Sequence, residues 1–154
     1  MQLYVQETLI GTVGIAEQDG CISNLYFEKE KLLPCGECSK SALLVEAFRQ
    51  LNSYLKGDIN VFSLPLAPAG TSFMLEVWQA LCRIPYGKTS SYKEIAVVLG
   101  NPLASRAVGM ANRRNPLPVF IPCHRVIGSD GTLTGYRGGL ALKKVLLDLE
   151  QRAV

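Results

Sequence analysis

The stretch Val119-Phe120-Ile121-Pro122-Cys123-His124-Arg125-Val126-Ile127-Gly128 decides how the rest of the chain is read. An apolar run is broken by a proline, a thiol, the one imidazole of the chain and a guanidinium, and then resumes. A plain buried strand does not carry two such polar side chains unless each finds a partner away from water. The residue types fit chemistry: a cysteine nucleophile works as its thiolate, and a neighbouring imidazole or cation lowers its pKa from about 8.5. Along an extended segment Cys123 and His124 point to opposite faces, so a bridging water or a bend must couple them. A structural cysteine beside a backbone-bonded histidine accounts for these two residues equally well, and their surroundings have to decide.

With 154 residues the chain makes one compact unit or two small ones, large enough for a true core. No charged leader precedes an apolar segment, and no uncharged apolar run is long enough to span a bilayer. The expectation is a soluble cytoplasmic protein with no membrane partner. Five cysteines without a disulfide-framework spacing suit a reducing compartment. Residues 1–66 hold 5 Lys and Arg against 8 Asp and Glu, whereas residues 67–154 hold 11 against 5. A basic second half beside an acidic first half is the footprint of a polyanion on the second half.

In the first half, Gln2 to Glu7, Gly11 to Ala16 and Cys21 to Phe27 alternate apolar and polar residues around the turn Gln18-Asp19-Gly20, which predicts three antiparallel strands. Glu28 to Lys40 reads as a charged loop. A helix over Ser41 to Lys56 places Leu43, Leu44, Ala47, Phe48, Leu51 and Leu55 on one face, with Gly57 as its stop. Residues 60–66 suggest a short strand, and Pro65, Pro68 and Gly70 a linker. Cys35-Gly36-Glu37-Cys38 reads as half of a zinc site or as a redox pair: a structural zinc takes four ligands, and Cys21 or Cys82 would have to complete it.

In the second half, Phe73, Met74, Val77, Trp78 and Leu81 sit at helical spacing within Thr71 to Arg83. Ser91 and Glu94 fit a capping box that opens a helix through Leu99, with Gly100 as its stop. Asn101-Pro102 reads as the immediate start of another helix to about Asn112. Two short helices joined by a tight turn in a basic half suggest a helix-turn-helix. The second helix is rich in small residues, Ala107 and Gly109 among them, so it can lie against a nucleic-acid backbone. Arg106 reaches out of it, and Arg113 and Arg114 follow. After a turn at Ser129-Asp130-Gly131, a glycine-rich loop surrounds Tyr136 and Arg137. A last helix from Leu140 to about Gln151 points Val145, Leu146 and Leu149 inward, and Glu150 taken alone reads as a surface carboxylate.

Ile121-Pro122-Cys123-His124-Arg125-Val126, preceded by Asn115-Pro116 and followed by Gly135-Tyr136-Arg137-Gly138-Gly139-Leu140, resembles the signature of the O6-alkylguanine-DNA alkyltransferases, the methylated-DNA-protein-cysteine methyltransferases. The resemblance runs from about Thr71 to Glu150. It implies an α+β chain: a ribonuclease-H-like sheet-plus-helix scaffold over residues 1–66, and a mainly helical domain over residues 67–154 that binds DNA and accepts the alkyl group.

By the same resemblance, Cys123 takes the alkyl group from O6 of a flipped guanine, and O4-alkylthymine is a second substrate. His124, a water and Glu150 would form the relay that activates the thiol. Asn115 would brace the active-site turn, and Tyr92 would aid flipping and protonate the departing base at N3. Arg106 would fill the gap the base leaves, on a helix whose Ala107, Gly109 and Arg113 meet the DNA. Pro122, Val126, Tyr136 and Arg137 would form the substrate pocket, with the Cys123 and Val126 carbonyls on the guanine amino group. Relatives with a zinc site use histidines absent here, so neither metal nor cofactor is expected. The partner is double-stranded DNA carrying O6-alkylguanine, met by a monomer that reacts once.

Three rivals are weaker. A recognition-only relative would lack the acceptor thiol that Cys123 supplies. A Cys-His hydrolase needs a histidine held against its thiolate, whereas the sole His is the adjacent residue. A purely structural DNA-binding module leaves Cys-His-Arg without a task.

Overall fold

The computed structural model describes residues 1–28, 30, 37–38 and 40–152, with backbone alone at 37–38. They form two compact units, Met1–Ala69 and Gly70–Val154.

In the first unit, β1 (Gln2–Thr8), β2 (Gly11–Gln18) and β3 (Cys21–Phe27) make an antiparallel meander. Asp19 and Gly20 turn β2 into β3 with φ of 53° and 78°, the positive values a tight hairpin requires. Val13, Ile15, Leu25 and Phe27 are buried beneath α1 (Ala42–Leu55), which lies across all three strands. Ser41 caps α1 by accepting from the Leu44 N–H at 3.1 Å. The inward face is Leu44, Ala47, Phe48, Leu51 and Leu55, and burying each large apolar side chain contributes about 1.5–3 kcal/mol. Phe48 also meets the Tyr4 ring edge-on at 5.3 Å.

Two expectations for this unit change. Within the stretch read as a loop, β4 (Glu37–Cys38) pairs parallel to β1 and extends the sheet to the order β3-β2-β1-β4. Two residues joined by backbone bonds leave no side-chain period to read. Over residues 60–66 no strand forms, and Leu66 makes a single bridge to Ile22. The Pro65 carbonyl accepts from Ile22, but proline offers no N–H to continue a ladder. Cys35 and the Cys38 side chain, the core of the zinc reading, lie outside the described residues.

The second unit comprises α2 (Ser72–Cys82), β5 (Ser90–Ser91), α3 (Tyr92–Val98), α4 (Ser105–Arg113), a 3-10 turn (Cys123–Arg125), β6 (Val126–Ile127) and α5 (Leu140–Arg152). Trp78 of α2 donates its indole N–H to the Ala111 carbonyl of α4 at 2.9 Å, so a buried aromatic anchors the helix pair. A Cβ at Gly70 would stand 2.6 Å from that indole, so the position takes only glycine. The capping box is present: Glu94 N–H donates to Ser91 Oγ at 3.0 Å, and Ser91 N–H to Glu94 Oε1 at 3.2 Å.

The joint between α3 and α4 differs from the sequence reading. Asn101 donates its N–H to the Ala96 carbonyl at 3.0 Å and Gly100 donates to Val97 at 2.9 Å, the pattern that ends a helix at a left-handed glycine. Asn101 therefore closes α3, and α4 starts at Ser105 after one turn, capped by Ala104 without a side-chain bond. On α5 the buried positions are Lys143, Leu146 and Glu150, while Val145 is half exposed. Leu146 is inward as expected and Leu149 is partly buried, but the stripe also runs through two ionisable residues, which an apolar pattern does not pick out. No helix among the described residues is long and apolar enough to cross a membrane.

Candidate active site

Cys123, His124 and Arg125 form a 3-10 turn rather than an extended segment. Arg125 N–H donates to the Pro122 carbonyl at 3.1 Å. Asn115 clamps the loop before it: its Nδ2 donates to the Ile121 carbonyl and its Oδ1 accepts from Leu117 N–H, both at 2.9 Å. Within that loop Val119 has φ of 75°, a strained value for a β-branched residue, worth about 1–3 kcal/mol. The clamp and the burial of Val119 hold it there.

The bend separates the roles of three neighbouring side chains. Glu150, only 1 % exposed, accepts from His124 Nε2 at 2.7 Å, from Arg125 Nε at 2.8 Å and Nη2 at 2.9 Å, and from Gly87 N–H at 3.3 Å. The third Arg125 nitrogen, Nη1, donates to the Ile84 carbonyl at 2.7 Å. The polar pair that interrupts the apolar run thus meets a single carboxylate from α5. Burial lowers the pKa of His124, against the opposing pull of Glu150. A neutral imidazole with its hydrogen on Nε2 leaves Nδ1 as a proton acceptor.

Cys123 is 4 % exposed, and burial pushes its thiol up to about 11. The Asn115 side chain, Lys143 and Arg137 act in the opposite direction. Arg137 Nη1 donates to the Asn115 carbonyl, tying the glycine-rich loop to the clamp. Lys143 Nζ donates to the Val126 and Thr134 carbonyls, each at 2.7 Å. The Cys123 carbonyl accepts from Val126 N–H and, at 3.3 Å, from Asn112 Nδ2.

Beside α4 opens a groove of about 820 Å³ lined by Tyr92, Arg106, Gly109, Arg113, Thr134 and Gly135 among others. Tyr92 Oη lies 2.6 Å from Thr134 Oγ1. Three arginines, Arg106, Arg113 and Arg114, and Lys93, with no carboxylate in the lining, give this wall positive charge.

Residues 72–152 match the model of the 6-O-methylguanine DNA methyltransferase DNA-binding domain. A methylated-DNA-protein-cysteine methyltransferase of Methanosarcina barkeri is 50 % identical over 98 % of this chain and 98 % of its own. The constitutive enzyme of that name from Bacillus subtilis is 45 % identical over 94 % and 92 %. The crystal structure of Mycobacterium tuberculosis OGT in complex with DNA superposes with a TM-score of 0.92 at 40 % identity, covering 100 % of this chain and 95 % of that one.

The chain belongs to the methylated-DNA-protein-cysteine methyltransferase family.

Its methyltransferase fold gathers the residues singled out in the sequence into two groups. Cys123, His124, Glu150 and Asn115 belong to the buried cluster, joined by Arg137 through Asn115. Tyr92, Arg106, Gly109 and Arg113 line the groove. Pro122, Val126 and Tyr136 are buried. Ala107 is exposed on α4 and is not among the groove's lining residues.

Arg125, Lys143 and Asn112 were not identified as site residues from the sequence. Arg125 stood inside the motif, and its pairing with Glu150 spans 25 residues that no local pattern bridges. Lys143 carried one signal, its place three residues before Leu146 on the inward stripe of α5.

Proposed function

We propose that this chain repairs alkylated DNA by transferring the alkyl group irreversibly to Cys123. The observation that carries this is the Cys123–Arg125 turn: a buried thiol under the Asn115 clamp, followed by an imidazole fixed to Glu150. The second unit, residues 67–154 in the sequence reading, carries DNA binding and chemistry, and the first serves as scaffold. α4 enters the minor groove with Ala107, Gly109 and Arg113 against the backbone, and Arg106 takes the place of the flipped base. An O6-alkyl group lies inside the duplex, so flipping precedes reaction and costs a few kcal/mol.

The thiol proton passes through a water to His124 Nδ1 while Glu150 stabilises the imidazolium. The thiolate then attacks the alkyl carbon. The S–C bond forms, the C–O6 bond breaks and its electron pair goes to guanine, which takes a proton at N3 from the Tyr92 hydroxyl. Neutralising the leaving base this way contributes about 10²–10⁴ in rate. Pro122, Val126, Tyr136 and Arg137 enclose the base. Val126 keeps one carbonyl lone pair for the guanine amino group, whereas both lone pairs of Cys123 are engaged. A thioether offers no leaving group to water at this site, so each molecule reacts once.

The protein acts as a cytoplasmic monomer on double-stranded DNA carrying O6-alkylguanine, and on O4-alkylthymine as a second substrate. The test is intact mass after mixing with a duplex containing one O6-methylguanine. One methyl per protein, mapped to Cys123 and absent in Cys123→Ser, is the expected result. Lesion-selective binding without a mass gain would overturn it in favour of recognition alone.

A further inference from the structure

Lys143 is a buried cation that the reaction above does not use. Its side chain is 0 % exposed, and its ammonium rests on two carbonyls, Val126 and Thr134. Among the described residues no carboxylate lies within ion-pair distance of it. Two neutral acceptors do not repay the desolvation of a full charge, and a buried ammonium is retained where an anion offsets it. The near carboxylate, Glu150, is committed to Arg125 and His124.

Resting on the proposed alkyl transfer, we infer that Lys143 is a positioning residue whose ammonium stabilises the Cys123 thiolate and whose two carbonyl bonds hold β6 and the Thr134 loop around it.

The groups facing the thiol divide by element. Its own turn carries His124, whose burial disfavours the charged form, and Arg125, and both side chains go to the Glu150 carboxylate. From the loops come the Asn115 amide and the half-buried Arg137 guanidinium, and from α5 comes Lys143. Lys143 thus supplies a fully buried positive charge without a carboxylate of its own. Burial outweighs the upward pull of the Cys123 anion and brings the Lys143 pKa down to about 8. The cation and the thiolate therefore favour each other, and one proton leaving the pair comes from sulfur more readily than it would without the ammonium. The Thr134 bond adds a mechanical link, since Thr134 Oγ1 also holds the Tyr92 hydroxyl.

The test needs no DNA, which separates it from the repair reading. Cys123 modification by iodoacetamide is followed against pH by peptide mass mapping; the S–C bond forms, iodide leaves and the thiol proton goes to buffer. Lys143→Gln keeps a donor for the carbonyls and removes the charge. It is expected to slow Cys123 modification roughly tenfold or more at pH 8 and to move its pH profile upward. Lys143→Arg restores the charge and the profile. An unchanged profile in folded Lys143→Gln overturns the inference. If that variant does not fold, the native chain decides through its Lys143 ammonium, observed by nitrogen NMR before and after S-methylation of Cys123. Titration at lower pH after methylation supports the pair, and unchanged titration overturns it. Failure of methyl transfer from damaged DNA by the native chain would instead strike the proposed function.

Discussion

Arg125 and Glu150, 25 residues apart, meet through a two-pronged contact, Nε to Oε1 at 2.8 Å and Nη2 to Oε2 at 2.9 Å. The pair locks α5 to the reactive turn and leaves the carboxylate oriented toward His124.

Removing one member leaves the other charge buried alone. Glu150→Gln is expected to destabilise the protein by about 3–5 kcal/mol in urea unfolding. The double variant Arg125→Met/Glu150→Gln should recover much of that stability while transfer stays slow, because His124 still lacks its carboxylate. A double variant as unstable as the single one would contradict this account.

The chain has one histidine, so its titration is open to direct measurement. Burial lowers its folded pKa below the unfolded value of 6.5, so the unfolded chain binds the proton first as pH falls. Stability from His124 is complete above about pH 6.5 and declines below it, by at most about 1.4 kcal/mol per pH unit. Denaturant melts between pH 7 and 5.5 should show this slope above the range where carboxylates titrate, and His124→Gln should flatten it.

Tyr92→Phe removes the hydroxyl that meets Thr134 and keeps the ring beside Gly109. Single-turnover transfer from an O6-methylguanine duplex is expected to fall about 10²–10⁴-fold with duplex affinity little changed. A comparable loss of affinity would place Tyr92 in binding rather than proton transfer.

Arg106 is exposed at the groove and bonds to nothing in the buried cluster. Arg106→Ala should therefore slow transfer from duplex DNA, leave thermal stability within about 0.5 kcal/mol and leave Cys123 modification by iodoacetamide unchanged. A slower iodoacetamide reaction would mean that Arg106 acts on the thiol itself.

Asn115→Ala removes two buried bonds and exposes the strain at Val119. Each group left unpaired costs about 1–3 kcal/mol. Cys123 should become more mobile and less reactive at the same time, seen as a lower melting temperature and slower single-turnover transfer.

The sequence by itself determined the elements whose cause is local. Alternation drew the three strands, because a half-buried strand must change face at each residue. Ser91 marked a helix start because its hydroxyl satisfies a free N–H group of the first turn, and in the fold Ser41 and Thr71 cap their helices in the same way. The Pro-Cys-His-Arg motif left a structural cysteine open, and the chemistry was named only by its resemblance, together with Asn115-Pro116 and Gly135 to Leu140, to the alkyltransferase signature.

Only the tertiary structure decided what those polar residues do. A 3-10 turn replaced the extended segment and sent His124 and Arg125 to one carboxylate. Glu150 and Lys143 became buried through partners far along the chain, so that a helix read for its apolar face turned its charges inward. Asn101 closed α3 rather than opening α4, because its N–H found Ala96. Each of these outcomes depends on where a charge or a hydrogen bond is satisfied. That is a property of the assembled fold, and local spacing along the chain carries no record of it.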